Sequence, residues 1–444
     1  MLLRDERGFN TMQNKIILIS MLLSHLYAMD LQQAVDEVIR SNPDIQERVQ
    51  NYNATHKDIQ SAKSGYYPKI DLVLGAGKEK TDRDLYNTDY KVYENSLKYT
   101  QNIFNGFNTT YLVKEKEYKT VAAAYSYIEK VNSVSLDMVN AYLDLMENQE
   151  LLGTAKENVA INQQILTKIK KLYKAGFTTL SEVKKIESSL ALAQSNLIVQ
   201  QNNILDATYN FEKVLGRSVD PTQLTKPTLT NVKFPKTVED AIAFAKKNNP
   251  SLLISEYNIK LAQAANREKK SQFYPKVDIE VSQSFNHNSG GILEDENIFK
   301  AMAFVSYNLF NGFNDSAEVE KTLSQTYQEI ENKNSLQRDI KKSLKLAWTA
   351  QEKLKEQLKY LLQYKKFSHK TLLLYAKEYS LGQRSLLDLL SAQNDFIRSK
   401  SQIITTQYSI LTAQYKILNS MGILVPSIMH KRTKIYENVN LQKI

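Results

Sequence analysis

The residues best suited to chemistry are few, and their spacing is wrong for it. The chain has no cysteine, which excludes disulfides, thiolate metal sites, a cysteine nucleophile and a lipidated N-terminal cysteine. Its five histidines, His25, His56, His287, His369 and His430, are scattered without metal-ligand spacing and read as surface or helix-face residues. No P-loop, nucleophile elbow or catalytic dyad is present, so no catalytic residue, metal or cofactor is expected. What remains is the chemistry of hydrogen bonds and ion pairs. The net charge of +10 comes from lysines spread along the whole chain and interleaved with acids, which describes solvated helix faces. No nucleic-acid partner is expected.

The elements that must position these groups are written twice. Asn42-Pro43 returns as Asn249-Pro250 and Tyr67-Pro68-Lys69 as Tyr274-Pro275-Lys276, each 207 positions later. Asn105-Gly106-Phe107 returns as Asn311-Gly312-Phe313, Gly176 as Gly382 and Gly216 as Gly422, each 206 positions later. Landmarks held in register over such a span mark a tandem duplication.

Proline placement outlines each copy, because proline interrupts helix interiors and central strands. Residues 69–220 and 276–425 contain none, whereas Pro221, Pro227 and Pro235 cluster as a linker. After each Tyr-Pro the pattern alternates: Ile70, Leu72, Leu74 and Ala76, then Tyr93, Leu97, Tyr99 and Ile103. The second copy repeats it with Val277, Ile279 and Val281, then Phe299, Ala303, Val305 and Leu309. The polar stretches 80–89 and 286–297 separate the runs, so each copy carries one β-hairpin.

The rest reads as long helix. A continuous helix from Asn108 to Lys174 would extend about 100 Å at 1.5 Å per residue. The returning segment keeps 3,4 spacing from Val183, Ile186, Leu190 and Ala193 to Val214, matched by Leu389, Ala392, Phe396 and Ser399 to Ser420. That is coiled-coil packing. In the second copy Ile397, Ile404, Leu411 and Leu418 add another stripe, and a helix with two seams has two neighbours. Gly176 and Gly382 stand where the outgoing helix must end and reverse.

The expected organisation is an upstream segment and secretory signal peptide over 1–28, with Lys15 before the apolar run Ile16 to Leu23 and Met12 as an alternative start. A first repeat follows over 29–220, with a hairpin at about 69–104 and long helices at about 107–174 and 177–215. A linker at 221–236 leads to the second repeat, 237–424, with a hairpin at about 275–310 and long helices at about 313–380 and 383–421. Residues 425–444 read as a polar C-terminal tail. After residue 28 no apolar run is long enough to span a membrane as a helix, so any crossing must use strands. Four strands cannot close, and hydrocarbon tolerates no open sheet edge. Three chains, giving twelve strands, form the smallest barrel expected to enclose a channel.

The paired Asn-Pro and Tyr-Pro landmarks, the turn Tyr173-Lys174-Ala175-Gly176, the segment from Glu378 through Gly382 to Asp388, and Met421-Gly422 resemble the TolC outer-membrane factor family over nearly all of residues 30–424. The resemblance implies a mainly α fold with a transmembrane β-barrel, in which the duplicated units form an α-helical barrel and a 12-stranded trimeric β-barrel. It also implies a cell outer membrane location extending into the periplasm, among outer membrane lipid. The partners implied are a periplasmic adaptor and an inner-membrane pump of the resistance-nodulation, ABC or major-facilitator type. The function implied is the exit duct of a tripartite efflux or type I secretion system.

Carried over position by position, the resemblance places a gate at Ser181, Glu182, Tyr379 and Arg384, with Tyr379 and Arg384 tying the second turn to Glu182 and Ser181. It places a lumen constriction at Asp388, and adaptor contacts at Ala175, Gly176 and Phe177 with Leu381, Gly382 and Gln383. A second ring of aspartate expected by the family is replaced by Ser391. The competing reading is a periplasmic coiled-coil adaptor or tether without a pore, its hairpins forming a small soluble β domain.

Overall fold

The computed structural model describes residues 29–83, 86–227, 234–290 and 293–429. The signal peptide, part of the linker and most of the C-terminal tail lie outside these residues. The elements run α1 (Leu31–Ser41), α2 (Pro43–Lys63), β1 (Lys69–Arg83), β2 (Tyr86–Asn105), α3 (Asn108–Lys174) and α4 (Leu180–Leu215) in the first copy. The second copy gives α5 (Val238–Asn248), α6 (Pro250–Lys269), β3 (Lys276–His287), β4 (Asp295–Ser306), α7 (Asn314–Ser380), α8 (Leu386–Ser420) and the short α9 (Leu424–Met429).

The duplicated landmarks have a common local cause. Asn42 and Asn249 cap α2 and α6: Asn42 Oδ1 accepts from Asp44 N at 2.9 Å, and Asn249 Oδ1 accepts from Ser251 N at 3.0 Å. The proline that follows each asparagine sits at the first helical position, where its missing N–H costs nothing. Gly176, Gly382 and Gly422 all adopt positive φ, of 77°, 74° and 77°. Each closes a helix in the same way, with N–H groups bonding back over the last turn: Phe177 to Leu172 O, Gln383 to Glu378 O and Ile423 to Leu418 O.

The described residues fall into two compact units. One, made of residues 46–130 and 246–340, holds all four strands in a single antiparallel sheet of order β1-β2-β3-β4. Register places Leu72 opposite Leu97, Tyr99 opposite Val281 and Val281 opposite Ala301. Side chains alternate across a sheet, so Ile70, Leu72, Leu74, Leu97, Tyr99, Ile279, Phe285, Phe299 and Val305 share one face. The opposite face carries Asp71, Glu94, Ser96, Lys98, Glu280, Ser282 and Lys300, with Lys98 paired to Glu280 at 3.0 Å. The apolar face is exposed at Ile70, Leu72, Leu74, Leu97, Phe299 and Val305.

Three expectations shift here. The polar stretch 80–89 belongs mainly to the strands, which run to Arg83 and resume at Tyr86, because paired backbone tolerates polar side chains on both faces outside an apolar layer. Ile103 falls in a register irregularity between Asn102 and Phe104, so it does not extend the alternation of β2. Leu309 lies beyond β4, which ends at Ser306.

The other unit is helical and contains residues 131–245 and 341–429 with α1. Its core includes Tyr142, Phe211, Tyr408 and Tyr415, all buried. The returning helices start three residues later than their sequence pattern suggests, at Leu180 and Leu386, because Thr179 and Ser385 take extended backbone to cap them. The expected polar tail begins with an apolar turn of helix, in which Leu424, Val425, Ile428 and Met429 are buried. Their i, i+4 spacing gives α9 one apolar face.

Tyr142 fastens the chain ends of this unit. Met29 bridges to Leu224, and the Tyr142 hydroxyl lies 2.6 Å from Thr225 O and 2.9 Å from Met29 O while accepting from Thr225 N at 3.1 Å. Tyr142→Phe leaves the partly buried Thr225 O without this donor, while Thr225 N keeps Met29 O at 3.2 Å, and should cost about 1–3 kcal/mol. Thermal unfolding of the detergent-purified protein measures it, and an unchanged midpoint would contradict this account.

Candidate functional site

The two helix reversals, 174–180 and 380–386, bring the sequence-predicted site residues to one end of the helical unit. Beneath them Leu166, Ile169, Val183, Ile186 and Leu190 of the first copy form one apolar cluster with Leu386, Leu389 and Leu390 of the second. Leu172, Leu372, Tyr375 and Tyr379 pack against it. The heptad residues thus hold the two reversals side by side.

Tyr379, in the last turn of α7, donates its hydroxyl hydrogen to Glu182 Oε2 at 3.0 Å. Glu182 is the third residue of α4; its backbone N–H donates to the capping Thr179, while its carboxylate also accepts from the Thr178 hydroxyl. The acid therefore does not reach back to its own cap, and instead joins the two copies. Burial, and then the Glu182 carboxylate, push the Tyr379 phenol up to about 12. At neutral pH Tyr379 is a donor.

Within one chain Arg384 and Ser181 are not brought together. Arg384 Nε donates to Glu378 Oε2 at 2.9 Å, and its guanidinium lies over the Tyr375 ring, 4.3 Å from the centroid. The reason is the turn itself, which folds residue 384 back over the last turn of α7. Ser181 Oγ lies 2.7 Å from Thr179 Oγ1. Sequence reasoning missed Thr178 and Glu378; the only signal for Thr178 was its place 206 positions before Arg384.

Asp388 is the third residue of α8, the position that Glu182 holds in α4. Its N–H donates to Ser385 Oγ at 3.2 Å, and Ser385 donates to Asp388 Oδ2 at 2.8 Å. Ala175, Gly176, Leu381, Gly382 and Gln383 are exposed, and Phe177 is 81% exposed. Large apolar side chains so bare at the tip of a helix pair suit contact with another protein.

A model of the family described as "Outer membrane efflux protein" matches residues 34–217 and 241–423, one segment in each copy. The chain is 23% identical over 343 residues to the outer membrane efflux protein BepC of Brucella suis biovar 1 (strain 1330), a match covering 77% of this chain and 74% of BepC. Its fold is similar to that of a membrane protein from Pseudomonas aeruginosa, with a TM-score of 0.80 at 14% identity over 90% of this chain and 91% of the other. It is also similar to the open state of the MtrE outer membrane channel of Neisseria gonorrhoeae, with a TM-score of 0.76 at 14% identity over 89% of each chain.

Proposed function

The chain belongs to the outer membrane efflux protein family, and on that premise we propose that three copies form an outer-membrane channel whose helical end is gated by the Tyr379–Glu182 link. The observation that carries the channel reading is the four-stranded sheet, apolar and exposed on one face, mainly polar on the other despite Val73, Met302 and Phe304, with β1 and β4 as open edges. Lipid would satisfy the apolar face and neighbouring copies the edges, because unpaired backbone groups in hydrocarbon cost several kcal/mol each. A soluble β domain in a tether has no use for such a face. The test is extraction followed by mass determination and planar-bilayer recording. A trimer that needs detergent and conducts is expected; a monomer released by salt would overturn the reading.

As an exit duct, the channel receives cargo from a periplasmic adaptor and an inner-membrane pump of the resistance-nodulation, ABC or major-facilitator type; a type I secretion system uses the same parts. The exposed turns, with Phe177 and Leu381 at their tips, are the adaptor contacts. Three copies of Arg384 and Glu378 flank the gate, and Asp388 stands at the same level. Gly382→Val tests the turn. No neighbour lies within 4 Å of a side chain placed there, so the effect is conformational: φ of 74° suits glycine and strains a β-branched residue by about 1–2 kcal/mol or more. Export should fall while the protein still reaches the outer membrane in normal amount. Normal export by this variant would argue against contact at the turn.

A further inference from the structure

The two faces of the sheet sort their charges toward the hairpin ends. On the apolar face, β1 and β2 run from Ile70 opposite Tyr99 to Ala76 opposite Tyr93. The next row toward the hairpin sets Lys78 opposite Lys91, and the row after it Lys80 opposite Asp89. At about 3.4 Å per residue, Lys78 lies about 7 Å beyond Ala76, at the border of the apolar layer. All three lysines are exposed. Two acids stand on this face near that level, and both are engaged: Asp89 accepts from Lys78 Nζ at 2.9 Å, and Asp295 pairs with His287. On the opposite face the same level is acidic, with Glu79, Glu94 and Glu296.

Lys78 opposite Lys91 is a costly pair, because like charges directly opposite across two antiparallel strands destabilise a sheet. Lys78 turns to Asp89 one row on, and Lys91 keeps a lysine, not a carboxylate, as its opposite neighbour. An anion between the two ammonium groups would turn the repulsion into attraction.

We propose that Lys78 and Lys91 hold the phosphate of a phosphorylated glycolipid of the outer leaflet, whose acyl chains lie along the apolar rows beside them. The inference rests on the channel reading above: the strands join the helices at Lys69 and Asn105, so with the helices in the periplasm the hairpin ends lie at the outer leaflet. Charge decides which face takes the headgroup. Acids facing outward at this level would repel phosphate, and the three on the opposite face are turned away from it. Each lysine close to an anionic lipid surface contributes about a factor of five in affinity.

Thermal unfolding of the full-length protein in detergent, sized by light scattering, tests the site, because a ligand that binds only the folded state raises the midpoint. Bis-phosphorylated lipid A should raise the wild-type midpoint, and lipid A stripped of its phosphates, or inorganic phosphate alone, should raise it far less. Lys91→Gln should melt at or above wild type without lipid, since the like-charge pair is gone, yet need about fivefold more lipid A for the same shift. Lys78→Gln with Lys91→Gln should need about twenty-fivefold more, and Lys91→Arg should respond as wild type does. Equal shifts with and without the lipid's phosphates, or an equal response of wild type and Lys91→Gln, would overturn the site. So would a full shift from inorganic phosphate, which needs no membrane lipid. A Lys91→Gln protein that melts below wild type in both conditions would make the lysine structural and overturn it too. Any of these results in a conducting trimer leaves the channel standing, whereas a monomer released by salt removes both.

Discussion

Tyr379→Phe should convert a mostly closed channel into a leaky one. The substitution removes only the hydroxyl that donates to Glu182 Oε2 at 3.0 Å and keeps the ring packed on the cluster below the turns. A hydrogen bond to a carboxylate is worth about 1.5–3 kcal/mol when protected, and nearer 1 kcal/mol where water reaches the pair, as at this half-buried site. In the proposed trimer three copies act on one entrance, so its closed state should lose about 3 kcal/mol relative to the open one. The open-to-closed ratio should then rise on the order of a hundredfold. Planar-bilayer conductance per trimer measures it, and equality with wild type would leave the gate unsupported. Alkali gives a second check. The Tyr379 pKa is raised above that of an unfolded tyrosine, so the link's stabilisation is complete below about 10 and is lost as pH climbs through about 12. Wild type should approach the conductance of Tyr379→Phe over that range, whereas the variant should not respond at this site. Arg384→Ser is expected to do less, because its partner Glu378 belongs to the same turn and its removal cuts no bond between the copies.

The sequence carried the repeat, the hairpins and the long helices because each rests on local rules: proline exclusion, period-2 alternation, 3,4 spacing and glycine at helix ends. Those signals fix elements to within a few residues. The late starts at Leu180 and Leu386 escaped because a serine or threonine cap three residues before an acid is weak evidence beside a strong heptad. At the site, the pairing of Tyr379 with Glu182 was legible only through a family pattern, while the partner of Arg384 was not legible at all. Its bond to Glu378 depends on how sharply the turn folds back, which is a property of backbone geometry around Gly382 rather than of residue type. The α9 turn was misread because a short apolar group next to lysines and a histidine resembles a tail in composition. Its burial depends on packing that no local window records.

The hairpin-to-helix junctions make the second large prediction, since the two copies share a motif but not its surroundings. Gly106 and Gly312 both have positive φ, 64° and 58°, so an alanine at either carries the left-handed cost of about 1–2 kcal/mol. Only the first is enclosed. A Cβ at Gly106 would stand 2.4 Å from Ser271 O and 2.8 Å from Tyr274 Cβ, whereas one at Gly312 meets nothing within 4 Å. The neighbours at Gly106 are fixed: Asn108 donates to Glu268 Oε1 at 2.6 Å and lies 3.2 Å from Ser271 Oγ, and Phe107 packs edge-on against Tyr274. Relieving the clash means moving backbone at the start of α3 away from the segment leading into β3, which adds about 1–3 kcal/mol of overpacking to the conformational cost. Gly106→Ala should therefore lose about 2–5 kcal/mol per chain and Gly312→Ala only 1–2 kcal/mol. In thermal unfolding of detergent-purified protein the first variant should melt well below the second. Equal melting points would mean that this junction opens in the assembled channel, and that the close approach of residues 106 and 271 is not what aligns the first hairpin with its long helix.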